Sequence, residues 1–375
     1  MTTPSFEQGP IRPPSEAASL LVRVVRNCSW NRCRFCPVYK GSRFSLRALD
    51  QVLADVDAMR AAADVLEAAP TTALGPGSVP PEAFQVARFL RGGAGAAFLQ
   101  DADPCAVTPD KLAAVIEHVR RAFPTVTKVT TYGRAATLAR RRPAELALLA
   151  AAGLTRVHLG MESGSDEVLA RVDKGCTAAQ LVTAGRQVLE AGMELCFYVM
   201  PGLGGRELAA EHVRGTAAVL REVAAAAPTE HPLVVRLRTT AVVPGTPLAD
   251  DEAAGHFALP DDVEVAAELH ALLEQLDGVR LELRSDHALN LMSDLEGSLP
   301  DDRARCLAAL DQFLALSPAE QAELALERRL GVFRQPGALL DAQGRLALQR
   351  RAAGADEAET AKKLEAAKRF RARFL

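Results

Sequence analysis

The sequence predicts an α/β protein, in which a partial, TIM-like (β/α)6 barrel is followed by a C-terminal, mainly helical extension. Three observations predict this architecture. Short runs rich in apolar and β-branched residues alternate with longer amphipathic segments six times between residues 20 and 250. Several of the short runs carry polar side chains at every second position. After about residue 250, helical patterns dominate.

The strands and helices of the first part follow one another regularly. Strands are predicted at 20–26, 96–100, 126–132, 156–160, 195–200 and 233–239. Helices are predicted at 46–66, 109–123, 144–152, 166–172, 178–191 and 207–226. Thr177 with Gln180 matches a capping box, and Gly153 and Gly192 stand where two helices should end. Right-handed crossovers between such units give a parallel sheet.

The remaining segments complete the predicted domain organisation. Residues 70–81 are rich in glycine and proline and predict an inserted loop, followed by an extra helix at 81–91. Beyond residue 250 we expect helices at 261–276, 301–315, 318–330 and 355–374, with one strand at 279–284. We therefore divide the chain into an N-terminal extension (1–19), a barrel core (20–250) and a helical C-terminal region (251–375).

The alternation within the strands favours a barrel over a doubly wound sheet. Leu233, Val235 and Leu237 share one face of the sixth strand, and Arg236 and Arg238 share the other. Two other strands have a polar face of this kind, with Lys128, Thr130 and Tyr132 in the third and Arg156, His158, Gly160 and Glu162 in the fourth. A doubly wound sheet is covered on both faces and should be apolar throughout. A partly open barrel with a polar interior accounts better for the pattern.

Composition and charge exclude several classes of protein. With 375 residues, of which 49% are hydrophobic, the chain can bury a large core. A net charge of -3 creates no overall basic field, so we expect no nucleic-acid partner. The first 17 residues lack the apolar run of a signal peptide, and no apolar run is long enough to span a membrane. We expect a cytoplasmic protein, whose seven cysteines serve as metal ligands and buried thiols.

Three cysteines, Cys28, Cys33 and Cys36, stand within nine residues directly after the first predicted strand. Thiolates are preferred ligands of iron-sulfur clusters and of zinc. Three thiolates on a four-iron cluster leave one iron open for chemistry. The alternative is a zinc site, but the next cysteine, Cys105, and the next histidine, His118, do not form the paired spacing that a complete zinc site needs.

Over about residues 20–250 the chain resembles the radical S-adenosylmethionine (SAM) superfamily. Most members carry C-x3-C-x2-C after the first strand, with an aromatic residue before the last cysteine. Phe35 holds that aromatic position, whereas the spacing from Cys28 to Cys33 is one residue longer. The segment GMESGSDEVL at 160–169, followed by KG at 174–175, is similar to GLESGSDEVL and KG in many members and to coproporphyrinogen dehydrogenase relatives. The YVMPG segment at 198–202 and PGTPL at 244–248 also match such relatives.

The resemblance implies a [4Fe-4S] cluster on Cys28, Cys33 and Cys36, with SAM bound to the open iron. One electron then cleaves SAM to methionine and a 5'-deoxyadenosyl radical, which abstracts hydrogen from a small-molecule or peptide substrate. A reducing donor such as flavodoxin or ferredoxin supplies the electron. The cofactor contacts implied are Phe35, Gln100, Asp101, Asp103, Glu162, Ser163, Lys174, Tyr198 and Gly202. Asp101 and Asp103 have helix capping before Pro109 as an alternative, and Ser165 is expected to cap a helix.

Candidates for substrate contact are Tyr132, His158, Arg236 and Arg238. The two arginines suit an anionic substrate, with internal ion pairs to Glu194 or Glu162 as the alternative. A strand histidine such as His158 is more often a hydrogen-bonded core residue. Two other classes of function stay open, a non-catalytic cluster or haem carrier on the same barrel and a zinc-stapled binding protein. The sequence leaves the substrate and reaction type open.

Overall fold

The computed structural model describes residues 5–68, 83–331 and 342–374, which form two compact units. The first unit comprises Met1–Asn31, Val38–Gly160 and Thr183–Cys196, and the second comprises Arg32–Pro37, Met161–Val182 and Phe197–Leu375. The chain combines helices with mostly parallel strands. The predicted α/β class is confirmed. Each unit combines separate stretches of chain, whereas the three predicted domains are contiguous.

Ten strands and fourteen α-helices occur in the described residues. The strands are β1 (Leu20–Arg23), β2 (Val25–Arg26), β3 (Ser45–Leu46), β4 (Ala96–Gln100), β5 (Lys128–Gly133), β6 (Leu154–Glu162), β7 (Glu194–Val199), β8 (Leu233–Leu237), β9 (Leu281–Arg284) and β10 (Gly297–Leu299). The helices are α1 (Leu49–Ala68), α2 (Phe84–Arg91), α3 (Pro109–Ala122), α4 (Ala135–Leu138), α5 (Pro143–Ala152), α6 (Asp166–Arg171), α7 (Ala178–Glu190), α8 (Ala209–Ala224), α9 (Pro247–Ala253), α10 (Asp262–Gln275), α11 (Arg303–Leu314), α12 (Pro318–Arg329), α13 (Ala342–Ala352) and α14 (Glu357–Phe370).

In the first unit, β1, β4, β5 and β6 pair in that order and run parallel. Parallel strands need crossover connections, which α3 and α5 supply between successive strands. The two helices pack against each other, and α3 also packs against α1. Their inward faces are apolar, with Val56 and Met59 of α1 and Leu112 and Ile116 of α3 all fully buried. The carboxyl ends of parallel strands, where barrel proteins carry their functional loops, therefore lie along one edge here.

In the second unit, β8 and β9 pair in parallel and β9 pairs with β10 in antiparallel fashion. Helix α10 packs against α8 and α11, and α12 packs against α13 and α14. Asp262 at the start of α10 binds Arg329 of α12 at 2.5 Å and Arg371, just after α14, at 2.8 Å. All three side chains are buried, so the carboxylate offsets the cost of burying two guanidinium groups. This contact fixes the C-terminal helices to α10.

Most predicted elements are found, with ends shifted by a few residues. The capping box of Thr177 and Gln180, the Gly153 helix end and the Ser165 cap of α6 are confirmed. The single strand predicted at 20–26 is wrong, because it divides at Val24 into β1 and β2, and β2 pairs with β3 instead. The short elements α4, α9 and β10 and the longer helix α13 were not predicted. The loop predicted at 70–81 lies outside the described residues.

Among the helices that the structure describes, none combines the length and the apolar character needed to cross a membrane.

Candidate functional site

The cysteine segment begins in the first unit with two asparagines that adopt left-handed backbone conformations. Asn27 has a φ of 67° and Asn31 a φ of 50°, a region that asparagine tolerates better than most residues. The Asn31 side chain donates to the carbonyl oxygens of Tyr39 (2.6 Å) and Ser42 (3.0 Å). Its backbone N–H donates to the Cys28 sulfur at 3.4 Å. The turn at Asn31 therefore holds the chain around the Cys28 sulfur.

Cys33 and Cys36 lie in the second unit, beside an apolar cluster that contains Phe35. Arg34 anchors this stretch on both sides, because its N–H donates to the Val172 carbonyl (2.9 Å) and its carbonyl accepts from the Leu248 N–H (3.0 Å). Its guanidinium also binds both carboxylate oxygens of Asp251, at 2.6 and 2.7 Å. The backbone that carries the two cysteines is therefore held by α9 and by the segment after α6.

A nearly buried ion pair lies next to Cys33 and Phe35. The Lys174 ammonium is 2.8 Å from Glu162 Oε1 and 5.9 Å from the centre of the Phe35 ring. Burial alone would lower the pKa of Lys174, but the charges of Glu162, Cys33 and Cys176 raise it above its ordinary value. Lys174 therefore carries a positive charge that interacts electrostatically with Cys33. Three residues that the sequence predicted to serve one cofactor, Phe35, Glu162 and Lys174, come together here.

The acidic turn after β4 is buried in the first unit. Asp101 accepts hydrogen bonds from Arg23 (2.7 Å), from the Asn27 N–H (3.3 Å) and from the Tyr39 hydroxyl. Burial and the Asp101 carboxylate raise the pKa of Tyr39, which keeps the phenol protonated as a donor. Sequence reasoning missed Tyr39, because nothing in its neighbourhood marks it as the partner of a residue 62 positions away.

Gln100 and Asp103 are fully buried on either side of Asp101. The Gln100 side chain binds the backbone of Gly9 and Ile11. Asp103 accepts from the hydroxyls of Ser29 (2.8 Å) and Thr137 (2.7 Å). Burial raises the pKa of Asp103, against these two hydrogen bonds. Neither Asp101 nor Asp103 caps α3, whose N-cap residue is Thr108, so that alternative is wrong.

Ser163, Tyr198 and Gly202 belong to the second unit. Ser163 Oγ lies 2.8 Å from His212 Nδ1, and His212 Nε2 lies 3.4 Å from Glu268 Oε1. The same carboxylate oxygen accepts the Gly202 N–H at 2.8 Å, where Gly202 has a φ of 83°. Tyr198 is nearly buried. The His212 and Glu268 side chains, which sequence reasoning missed, thus connect the segment after β6 with the segment after β7.

The four candidates for substrate contact have different surroundings. His158 is fully buried, 3.3 Å from Glu16, and packs edge-on against Phe98 and Tyr132, as expected for a core histidine. In the second unit, Arg236 Nε lies 3.4 Å from Asp286, so this arginine has an internal ion-pair partner. The partners expected from the sequence, Glu194 and Glu162, were wrong, because they pair with Arg156 and Lys174.

His287 and Arg238 lie near the Arg236–Asp286 pair. Burial and the positive charges of Arg238 and Arg236 lower the pKa of His287 to about 4, so this imidazole is neutral at ordinary pH. The Arg238 Nε atom is buried and has no hydrogen-bond partner among the described residues.

Within residues 5–68, 83–331 and 342–374, there is no group of three or more histidine, cysteine, aspartate or glutamate side chains that could hold a metal ion as placed.

Neither a protein-family model nor a curated protein matches the chain. Several solved structures resemble it. The cobalamin-dependent SAM radical enzyme OxsB is 13% identical, with a TM-score of 0.45, over 95% of this chain and 53% of that one. The radical SAM methyltransferase TsrM from Kitasatospora setae is 16% identical, with a TM-score of 0.45, over 94% of this chain and 66% of that one.

Coproporphyrinogen III oxidase (HemN) from Escherichia coli, a radical SAM enzyme, is 15% identical, with a TM-score of 0.42, over 68% of this chain and 52% of that one. The match to the archaeal Elp3 from Methanocaldococcus infernus likewise spans about half of that chain, 52%. At these identities and TM-scores, the likenesses carry no argument about the activity of this chain.

The buried Glu268 predicts a pH-dependent stability. Burial raises the pKa of Glu268 to about 7, against the Gly202 hydrogen bond, from an ordinary value of 4.5. A carboxyl group whose pKa is raised in the folded state contributes its full stability at pH values below its pKa in the unfolded state. This contribution is lost as the pH rises through 7. Glu268→Gln should not lose this contribution. Its free energy of unfolding, minus that of wild type, should therefore rise by about 2 to 3 kcal/mol from roughly pH 5 to pH 8.5, measured by urea denaturation.

The control is Glu274→Gln, on the same helix but largely exposed, which should follow the wild-type curve. Parallel curves for wild type and Glu268→Gln would show that Glu268 titrates normally.

Proposed function

We propose that the chain is a radical SAM enzyme in which Cys28, Cys33 and Cys36 bind a [4Fe-4S] cluster. The observation that carries the proposal is the Lys174–Glu162 pair, which holds a permanent ammonium beside Cys33 and Phe35. A cluster with thiolate ligands is anionic, and a nearby cation and N–H donors to sulfur both stabilise it. The Asn31 N–H on the Cys28 sulfur is such a donor. The residues present therefore fit the group chemically.

The chain's own residues have separable tasks in this proposal. The three cysteines are the ligands, and Phe35 and the Lys174–Glu162 pair shape the place for SAM. Gly202 gives close backbone access near Tyr198, because its φ of 83° and a contact of 3.0 Å with Pro260 at the position of a Cβ disfavour any side chain. When bound, the cluster would supply the one electron that cleavage of SAM to methionine and the 5'-deoxyadenosyl radical requires.

Four of the implied cofactor contacts are fully buried side chains whose partners lie outside the implied set. Gln100, Asp101, Asp103 and Ser163 are fully buried, and each is hydrogen-bonded within its own unit. A group already desolvated and bonded would lose those bonds on binding a cofactor. We therefore assign them the task of holding the loops after the strands. We further infer an electron donor such as flavodoxin or ferredoxin, a small-molecule or peptide substrate and a cytoplasmic location.

The cluster proposal predicts metal content. Anaerobic reconstitution should give about four irons and four sulfides per chain, as a [4Fe-4S] cluster requires. Replacing any of Cys28, Cys33 and Cys36 with Ala should abolish most of this iron, measured by metal and sulfide analysis. Cys306→Ala, which removes a buried thiol of α11, is the control and should keep it.

Two outcomes would favour the other classes of function. Stoichiometric zinc without sulfide would contradict the cluster and favour a zinc-stapled protein. A cluster whose reduced form produces no 5'-deoxyadenosine from SAM would favour a non-catalytic carrier.

The Lys174–Glu162 pair should matter more for SAM than for iron, because the three cysteine ligands remain when its charges are removed. We expect Lys174→Met/Glu162→Gln to weaken SAM binding by about tenfold or more, since a desolvated charged contact is lost, while most of the iron content is retained. The double variant removes both charges, so no unpaired charge is buried. Binding is measured by calorimetry on reconstituted protein.

The matched control is Lys363→Met/Glu323→Gln. That pair has the same 2.8 Å distance, and its side chains are 19% and 14% exposed, against 14% and 12% for Lys174 and Glu162. Equal losses of SAM affinity in the two double variants would contradict the assignment.

Arg238 is the remaining candidate for an anionic group of the substrate, because Asp286 already compensates Arg236. Arg238→Lys keeps the charge but loses the planar fork of donors. We expect turnover of the substrate to fall about tenfold or more, while uncoupled SAM cleavage to 5'-deoxyadenosine stays within about twofold. A parallel loss of both activities would make Arg238 a scaffold residue.

A further inference from the structure

A cleft of about 420 Å³ opens in the first unit, between the residues that follow Cys28 and the segment after β5. Ser29 and Trp30 line one side, and Arg134, Arg140 and Arg141 line the other. None of these residues has a task in the proposed handling of the cluster or of SAM. The cleft is large enough for a small organic molecule.

Two of its arginines keep unused donors. Arg140 donates through Nε to the Ala136 carbonyl at 2.7 Å, which leaves both terminal nitrogens available. Arg141 uses one terminal nitrogen for the carbonyls of Cys105 and Val107, at 2.6 and 2.7 Å. In the part of the chain that the structure describes, neither forms an ion pair, whereas their neighbour Arg142 pairs with Glu145. Their charge is therefore available to a ligand.

The one carboxylate that lines the cleft does not neutralise these groups. Asp103 is fully buried, and its oxygens accept from Ser29, from Thr137 and from the Arg134 N–H at 3.3 Å. Three guanidinium groups and one carboxylate leave a net charge of +2 in the cleft (3 - 1 = 2). A dianion would offset this charge, whereas a single carboxylate would offset half.

Trp30 adds an aromatic wall. The Arg134 guanidinium lies over its ring, 5.3 Å from the centroid, as in a cation–π contact. This contact places a third positive charge at the wall of the cleft, beside the donors of Arg140 and Arg141. The planar guanidinium group of an arginine carries parallel donors, which match two oxygens of a phosphate.

We propose that the cleft binds the phosphate group of a phosphorylated small molecule, through Arg134, Arg140 and Arg141. The charge selects a dianion, the forked donors select phosphate oxygens, and the volume and the Trp30 ring leave room for the organic part. The inference goes beyond the proposed function, because it requires neither cleavage of SAM nor any reaction of the bound molecule.

The test is calorimetric titration of the full, cluster-reconstituted protein in phosphate-free buffer at constant ionic strength. The probes are phenyl phosphate, inorganic phosphate and sodium chloride. We expect phenyl phosphate to bind at least about threefold more tightly than inorganic phosphate, and chloride not to bind. Trp30 is the only tryptophan in the sequence, so a change in its fluorescence on titration reports the site directly.

The variants separate the cleft from general charge effects. Arg140→Gln changes an exposed residue with one backbone contact and should weaken phenyl phosphate binding about fivefold or more. Arg142→Gln makes the same charge change on a residue outside the cleft and should leave it unaltered. Arg134→Lys keeps the charge and loses the fork, and should also weaken binding.

Three outcomes would overturn the proposal. Equal weakening by Arg140→Gln and Arg142→Gln would indicate nonspecific attraction, as would a fluorescence change of the same size with chloride. Equal affinity for phenyl phosphate and inorganic phosphate would assign the cleft to free phosphate. Since binding is measured without turnover, a protein that fails to cleave SAM can still pass this test, and the two proposals fail separately.

Discussion

A single buried carboxylate, Asp101, fixes the chain at the two positions that flank the cysteines. The Asn27 N–H, directly before Cys28, and the Tyr39 hydroxyl, three residues after Cys36, both donate to it, and Arg23 of β1 neutralises it. Leaving a buried charge without its partner costs about 3 to 5 kcal/mol. Loss of the Arg23 contact would therefore also destabilise the contacts with Asn27 and Tyr39. Because Asp101 follows β4, the parallel pairing of β1 with β4 brings it to the start of the cysteine segment.

The second unit also compensates its buried charges, with different residues. Lys174 and Glu162 compensate each other beside the Phe35 cluster, and Asp262 compensates Arg329 and Arg371 among the helices. The Asp262 set joins segments 67 and 109 residues apart, so it specifies which segments meet as well as offsetting charge. Glu268 differs, because among the described residues only the largely neutral His212 lies within ion-pair distance of it, and burial therefore raises its pKa.

Sequence periodicity predicted the elements that repeat and missed those defined by single contacts. The strands β4 to β8 and most helices follow from alternation and amphipathicity, because burial of one face imposes the pattern. The break at Val24 does not follow from this pattern, because residues 20–26 are suitable for one strand. The pairing of β2 with β3 divides them. Likewise, the motif residues Glu162 and Lys174 are readable from the sequence. The partners Tyr39, His212, Glu268 and Asp286 come from distant segments with no local signal.

The longer spacing between Cys28 and Cys33 has a local structural account. Asn31, three residues after Cys28, turns the chain with a φ of 50° and directs its N–H to the Cys28 sulfur at 3.4 Å. This turn uses residues 28–31, within the interval from Cys28 to Cys33. Ser29 and Trp30 stand within this turn, and both line the basic cleft. Ser29 and Trp30 therefore belong both to the turn at Cys28 and to the wall of the cleft in which we propose a phosphate site.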